Sequence, residues 1–421
     1  MREQLTESAT RPLKVWCLAP DQLDHIRPIE LCFGNEAQFT YDSKCEPAGM
    51  AASRPDVVLC VNEFPLGISE CLDTARALGI PTLLLQDGIL EWRCQYENPL
   101  FGAGGGPPQH QPVLADKIAC LGEQSGRVIR SWGNGGKVEV TGMPRLDHLL
   151  LRPRRQCGDA RKRVLLMTAK NPGFTEAQRE ITLRSLIDVA AELKARPAVE
   201  LVWRVAPQTA RQLGLDNSLS EFSSQDLATV LEQMDLVITT PSTAILESML
   251  LERPTAALDY HNVPRFVPTA WTISAREQIL PVLDNMLARP GNRMDFQRFL
   301  LRDCLECNGP AAPRVASLIR RMTAMANKNR VCGLAQSSDD NQYESHDKAN
   351  AVYTSQGAPP SLAGLYPDQS DFQITDIRVL QTKLARLRKR NTELEREIQA
   401  RTIINGLFKI GRQVSKHLRK A

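Results

Sequence analysis

Short runs that are apolar on both faces alternate with amphipathic stretches through the first three quarters of the chain. From Leu13 to about Leu150 the runs are LKVWCLA (13–19), PDVVLCV (55–61), PTLLLQ (81–86), DKIACLG (116–122) and KVEVTG (137–142). Helical patterns such as Leu66–Leu78 and Glu123–Trp132 lie between them. Strands without a polar face that alternate with helices predict a parallel sheet covered on both sides. After the basic break RPRRQCGDARKR (152–163) the same grammar restarts. RVLLMTA (163–169), VELVWRV (199–205), DLVITT (235–240) and PTAALDY (254–260) read as strands, with helices around Thr175–Ala195, Gln225–Gln233 and from Ser242 onward. The expectation is an α/β protein of two Rossmann-like domains, 13–150 and 151–326, facing a cleft. Ligands of such sheets sit at the carboxyl ends of the strands.

Beyond about Asn327 this alternation ends. Residues 327–372 are rich in Ser, Gln, Asp, Gly and Pro, which predicts a flexible linker. Ile377, Leu380, Leu384, Leu387, Asn391, Leu394 and Ile398 then recur at spacings of three and four, the seam of a coiled coil over 373–402. Asn391 at an a position suits a homodimer in parallel register. In 403–421 an apolar stripe of Ile403, Ile404, Leu407, Ile410, Val414 and Leu418 opposes a face filled by Lys and Arg, the pattern of a helix lying on an anionic membrane surface.

Charge sharpens that division. The net charge of +4 combines +9 in residues 372–421 with −5 in the rest, so the basic character belongs to the tail. An acidic body with no recognisable binding module argues against nucleic acid. The chain has 11 irregularly spaced cysteines, no apolar signal core at its start, and no run of the roughly twenty apolar residues that a spanning helix needs. These features predict a cytoplasmic protein with reduced thiols, peripheral to the inner membrane. Cys304 and Cys307 form a lone CxxC that reads as incidental.

The densest chemistry lies in DLVITTPSTAILESMLLERPTAALDY (235–260). A strand ends near Thr240, Pro241 turns the chain, and Ser242 or Thr243 opens a helix that carries Glu247. Backbone N–H groups at a helix start suit a diphosphate, and Glu247 is placed for ribose hydroxyls. A hydroxyl-capped helix without a ligand would show the same residues. Lys170 and Arg204, at the ends of their strands, are candidate cations for donor phosphates. Acids follow first-domain strands at Asp21, Glu63 and Asp87, with Glu91 a helical turn beyond Asp87. Asp87 and Glu91 are the preferred acid–base candidates. The stretch YENPLFGAGGGPPQHQ (96–111) reads as a mobile loop with His110 exposed. It lacks the context of a nucleotide-binding glycine loop.

The 235–260 segment resembles the donor site of GT-B-fold glycosyltransferases of bacterial surface-carbohydrate biosynthesis. Related families are the lipid A disaccharide synthases, the CDP-glycerol glycerophosphotransferases and the UDP-N-acetylglucosamine 2-epimerases. VTGMPRLD (140–147) is similar to the "TGxPxxD" stretch that ends the first domain there, with Gly142 allowing a tight turn and close approach. LLLQDGILEWR (83–93) is similar to a first-domain loop that carries a functional His or acid. The resemblance implies donor binding by Ser242, Thr243, Glu247, Arg204, Lys170 and Gly142, with domain 13–150 taking the acceptor and 151–326 the donor. It implies transfer of a sugar or similar group from a nucleotide-sugar to a polysaccharide or lipid-linked acceptor, with no cofactor and no metal. Two departures stand out. Trp203-Arg-Val-Ala-Pro207 lacks the His of a Lys-x-His-Pro stretch, and the loop reads Gln86-Asp87 where the epimerases carry His-Glu. A nucleotide-sugar epimerase and a non-catalytic scaffold of a polysaccharide-assembly complex are the alternatives.

Overall fold

The two series of apolar runs form two all-parallel sheets. In the computed structural model, which describes residues 11–18, 22–100, 108–152, 161–215 and 225–331, the first sheet has six strands. They are β1 (Leu13–Leu18), β2 (Ala37–Tyr41), β3 (Val57–Cys60), β4 (Thr82–Leu85), β5 (Lys117–Cys120) and β6 (Val138–Val140), in the order β2-β1-β3-β4-β5-β6. The second has five: β7 (Lys162–Met167), β8 (Val199–Arg204), β9 (Leu236–Thr239), β10 (Thr255–Leu258) and β11 (Trp271–Ile273), in the order β11-β10-β9-β7-β8. Every strand pair is parallel.

Central strands VVLC, TLLL, LVIT and TAAL are buried along their whole length, as strands with helices on both faces must be. The helices occupy the expected places. Glu176–Lys194 starts at Thr175, whose hydroxyl accepts the Gln178 N–H at 3.2 Å while the Gln178 side chain returns a bond to the Thr175 N–H, a reciprocal cap. The edge strands β2 and β11 are not in the sequence expectation. AQFTY of β2 is exposed or half-exposed along its length and lacks the apolar run that marks an inner strand.

Both sheets reverse strand order once, between β1 and β3 in the first and between β7 and β9 in the second. The loops leaving such neighbours diverge and open a crevice at the carboxyl ends. The helix Ala311–Val331, last in sequence among the described elements, packs into the core of the first sheet. Its Val315, Ala316 and Ile319 are fully buried in the cluster formed with Val15, Ile29, Val57 and Leu83. It runs to Val331, past the expected linker start at 327. The rest of the linker, the coiled coil at 373–402 and the basic helix at 403–421 lie outside the described residues. No described helix is long and apolar enough to cross a membrane.

Candidate functional site

The β7/β9 crevice gathers the predicted donor residues. Met167 sits beside both Arg204 of β8 and Thr239 of β9, so the three strands end together. Thr240 continues this edge and accepts the Ala169 N–H on its hydroxyl at 2.8 Å. Lys170 is the next residue and is exposed. Beyond Pro241, Thr243 already has helical torsions (φ −58°, ψ −23°). The first helical bonds run from Ile245 to the Ser242 carbonyl and from Leu246 and Glu247 to the Thr243 carbonyl. The N–H groups of Ser242, Thr243 and Ala244 precede that ladder, which is where an anion meets a helix start.

Thr243 does not cap its own helix. Its hydroxyl accepts the N–H of Ile89, from the first-domain loop after β4, at 3.3 Å. That loop is drawn tight by Gln86, which is 4% exposed, donates to the Gly88 carbonyl at 2.8 Å and accepts from the Leu121 N–H at 3.1 Å. Asp87 between them is exposed and accepts from Gln22 at 3.3 Å. Ser242, Thr243, Asp87 and Gly88 therefore converge where the two carboxyl edges meet.

Glu247, one turn into the helix, is 7% exposed. Its Oε1 accepts from Arg145 Nη1 at 3.2 Å. Arg145 also lies 3.9 Å from Asp24 of the first domain. Arg204 adds a second positive charge near Glu247 and donates to the Gln225 carbonyl at 3.1 Å; burial lowers its pKa, which Glu247 and Asp226 partly offset.

Glu91 has different surroundings from Asp87. It accepts from Arg93 Nε at 2.7 Å, and Arg93, 2% exposed, reaches across to the Pro172 carbonyl at 3.2 Å. Burial pushes the Glu91 carboxyl up, and Arg93 partly restores it. Gln178 of the second domain donates to Glu97 at 2.8 Å, and Phe266 packs against Trp92 and Trp132 with ring centroids 6.1 and 6.0 Å apart. The segment 88–97 is thus a continuous seam between the domains, in which Glu91 is held by its own arginine.

Gly142 stands against the returning chain (φ +86°), where a Cβ would lie 2.5 Å from the Glu306 carbonyl oxygen and 3.0 Å from the Ala311 side chain. Asp147 in the same stretch accepts the Ala311 and Ala312 N–H groups at 2.6 and 2.8 Å, capping the helix Ala311–Val331. Arg314 of that helix donates to the Thr141 carbonyl at 2.7 Å. The glycine and aspartate of TGMPRLD therefore fasten the crossover, while Arg145 between them points chemistry into the cleft.

The fold alone brings one histidine to notice and corrects the reading of another. His25, on the helix Leu23–Phe33 after β1, is 4% exposed, and its Nδ1 has no hydrogen-bond partner. Burial and Arg145 lower its pKa, while Asp24 and Asp87 oppose them. A histidine amid LDHIRPIE carries no motif, so sequence offered no signal for it. His110, read as exposed from its glycine-rich surroundings, is 7% exposed. Its Nδ1 lies 3.8 Å from Glu63, whose other oxygen accepts the Leu114 N–H at 2.9 Å, so the loop folds back over β3. Glu63 is fully buried by that loop, and Asp21 lies outside the described residues.

No protein-family model matches the sequence, and a search of curated proteins finds no match. Solved structures do match. An S. aureus MnaA–UDP structure superposes with a TM-score of 0.52 at 11% identity, covering 75% of this chain and 97% of that one. The UDP-GlcNAc 2-epimerase of Methanocaldococcus jannaschii, in complex with UDP-GlcNAc and UDP, gives 0.51 at 12%, covering 73% and 100%. The wall teichoic acid polymerase TagF gives 0.51 at 14%, covering 76% and 90%. Like these enzymes, the chain folds as two parallel-sheet Rossmann-like domains of the GT-B kind.

Proposed function

We propose that this protein transfers a sugar, or a similar group, from a nucleotide-activated donor to a polysaccharide or lipid-linked acceptor. The observation that carries the reading is the convergence at the cleft. The helix start Ser242–Thr243 and Glu247 lie on one side, and Asp87, on a loop fixed by Gln86, lies on the other. Among the similar solved structures one is a complex with UDP-GlcNAc and UDP and another a complex with UDP, which supports the donor class. In this reading Lys170, Arg204 and the N–H groups around Ser242 and Thr243 take the diphosphate and stabilise its departure. Glu247 takes the ribose. Asp87 accepts the proton of the acceptor hydroxyl. The coiled coil would pair two copies, and two tails would strengthen contact with the inner leaflet, where lipid-linked acceptors reside.

Asp87 favours transfer over epimerisation. Transfer needs one base for a hydroxyl proton, whereas inverting a carbon centre removes a carbon-bound proton and returns it on the opposite face. Of the two acids in the loop, Asp87 is exposed and Glu91 is tied to Arg93.

The test is a turnover assay of the full-length protein with UDP-, GDP- and CDP-activated sugars, with and without bacterial membranes as acceptor. Acceptor-dependent release of the nucleotide, lost in Asp87→Asn, supports transfer. An epimerised nucleotide-sugar formed without acceptor establishes the epimerase instead. Binding without turnover under any condition establishes the scaffold.

A further inference from the structure

We infer that Arg145 is a positioning residue for the donor nucleotide, acting through Glu247 and making the inter-domain crossover part of the ribose site. This inference rests on the proposed donor reading. Arg145 belongs to the short turn Pro144–Leu146 that ends the first domain. The turn is pinned on both sides. Gly142 has no room for a side chain against Glu306 and Ala311, and Asp147 is bound to the start of the helix Ala311–Val331. A side chain on such a support is aimed by backbone that cannot drift.

From there Arg145 reaches an acid on each domain, Glu247 at 3.2 Å and Asp24 at 3.9 Å, with its own side chain 22% exposed and that of Glu247 9% exposed. Burying a carboxylate is costly unless a hydrogen-bonded countercharge accompanies it. Arg145 supplies one, and the charge of Arg204 adds to it. The guanidinium holds Oε1 and thereby orients the carboxylate for the two ribose hydroxyls. It does not itself contact the phosphates in this account. His25, buried on the helix Leu23–Phe33, has its pKa lowered by burial and then by Arg145.

Selective effects on the two parts of the donor site are expected. Arg145→Ala leaves the helix-start phosphate site intact and disorients the ribose site alone. The experiment is calorimetric titration of the full-length protein with the nucleoside diphosphate that binds best among UDP, GDP and CDP, and separately with inorganic pyrophosphate. Arg145→Ala should weaken nucleoside diphosphate binding at least tenfold and leave pyrophosphate binding within twofold. Arg145→Lys, which keeps the charge and loses the planar fork, should recover part of the loss. In a Glu247→Gln background, Arg145→Ala should cost no more than twofold further.

Equal weakening of both ligands, or an additive loss in the double variant, would overturn the positioning role. Unchanged nucleoside diphosphate affinity in Arg145→Ala overturns it too, while leaving the donor reading in place. If the unaltered protein binds pyrophosphate and no nucleoside diphosphate, both inferences fall together.

Discussion

The hydroxyl of Thr243 accepts the backbone N–H of Ile89 across the cleft at 3.3 Å, and a methyl group at Gly88 would stand 2.9 Å from the same oxygen. A close approach between the domains therefore falls on the residue that opens the candidate phosphate-binding helix. Gly88→Ala should force the loop away from Thr243 and weaken both ligand binding and turnover. The cost in stability should be about 1–3 kcal/mol, the range for overpacking. Thr243→Ala added to it should relieve the clash and recover part of the stability in chemical denaturation. A Gly88→Ala protein as stable and active as the parent would show that the approach is loose in solution.

Glu247 offers a cleaner test of ligand chemistry. Glu247→Gln keeps the shape and removes the charge that faces Arg145. A charged hydrogen bond is worth about 1.5–3 kcal/mol. Nucleoside diphosphate affinity should fall by roughly tenfold or more, with pyrophosphate affinity nearly unchanged. Equal affinity for the nucleotide in the variant removes Glu247 from the ribose site.

Asp147 separates fold from function. Its two bonds to Ala311 and Ala312 cap the helix that ties the second half of the chain to the first sheet. Asp147→Ala should cost about 0.5–2 kcal/mol, the usual value of an N-cap. Asp147→Asn, which keeps one acceptor oxygen, should cost less. Both should leave pyrophosphate affinity unchanged. Denaturation midpoints that do not move would show that the crossover is fastened elsewhere.

These contacts mark the limit of what the sequence expresses. Strands such as TLLL and LVIT are legible because a run without a polar position has only one stable place, between two layers of helix. Ser242, Thr243 and Glu247 are legible because turn, helix start and one helical turn are local spacings. His25 is not, since its meeting with Arg145 is set by sheet order and by a helix that returns from residue 311. His110 is misread for a related reason. Glycine and proline around it signal a loop, and composition says nothing of the buried Glu63 that the loop covers. Glu91 has the right place in the sequence, and only the fold reveals that Arg93 holds it.

Two histidines, the half-buried His261 and the buried His25, give the fold a pH dependence. His261 accepts or donates a bond at 3.2 Å with the Thr182 hydroxyl, and burial, then Arg93, lower its pKa from 6.5 to about 4. His25 is lowered in the same direction by burial and Arg145. Below pH 6.5 the unfolded chain therefore takes up protons that the folded chain refuses, so stability falls as pH drops from about 6.5 toward 4. Asp147, Asp259 and Glu91, raised mainly by burial, work the other way at the acid end, because the folded chain takes their protons first. His261→Gln should flatten the decline of the thermal midpoint between pH 7 and pH 5. A variant that declines as steeply as the parent would assign the slope to other groups.

The most direct test of the donor cleft is a thermal-shift series on the full-length protein with UDP, GDP, CDP, CMP and ADP, repeated with Glu247→Gln. A ligand at a hundred times its dissociation constant adds about 2.7 kcal/mol of apparent stability. A donor cleft built on Glu247 gives a raised midpoint with one nucleotide and a much smaller rise for the same nucleotide in Glu247→Gln. A midpoint unmoved by every nucleotide in the unaltered protein would contradict it.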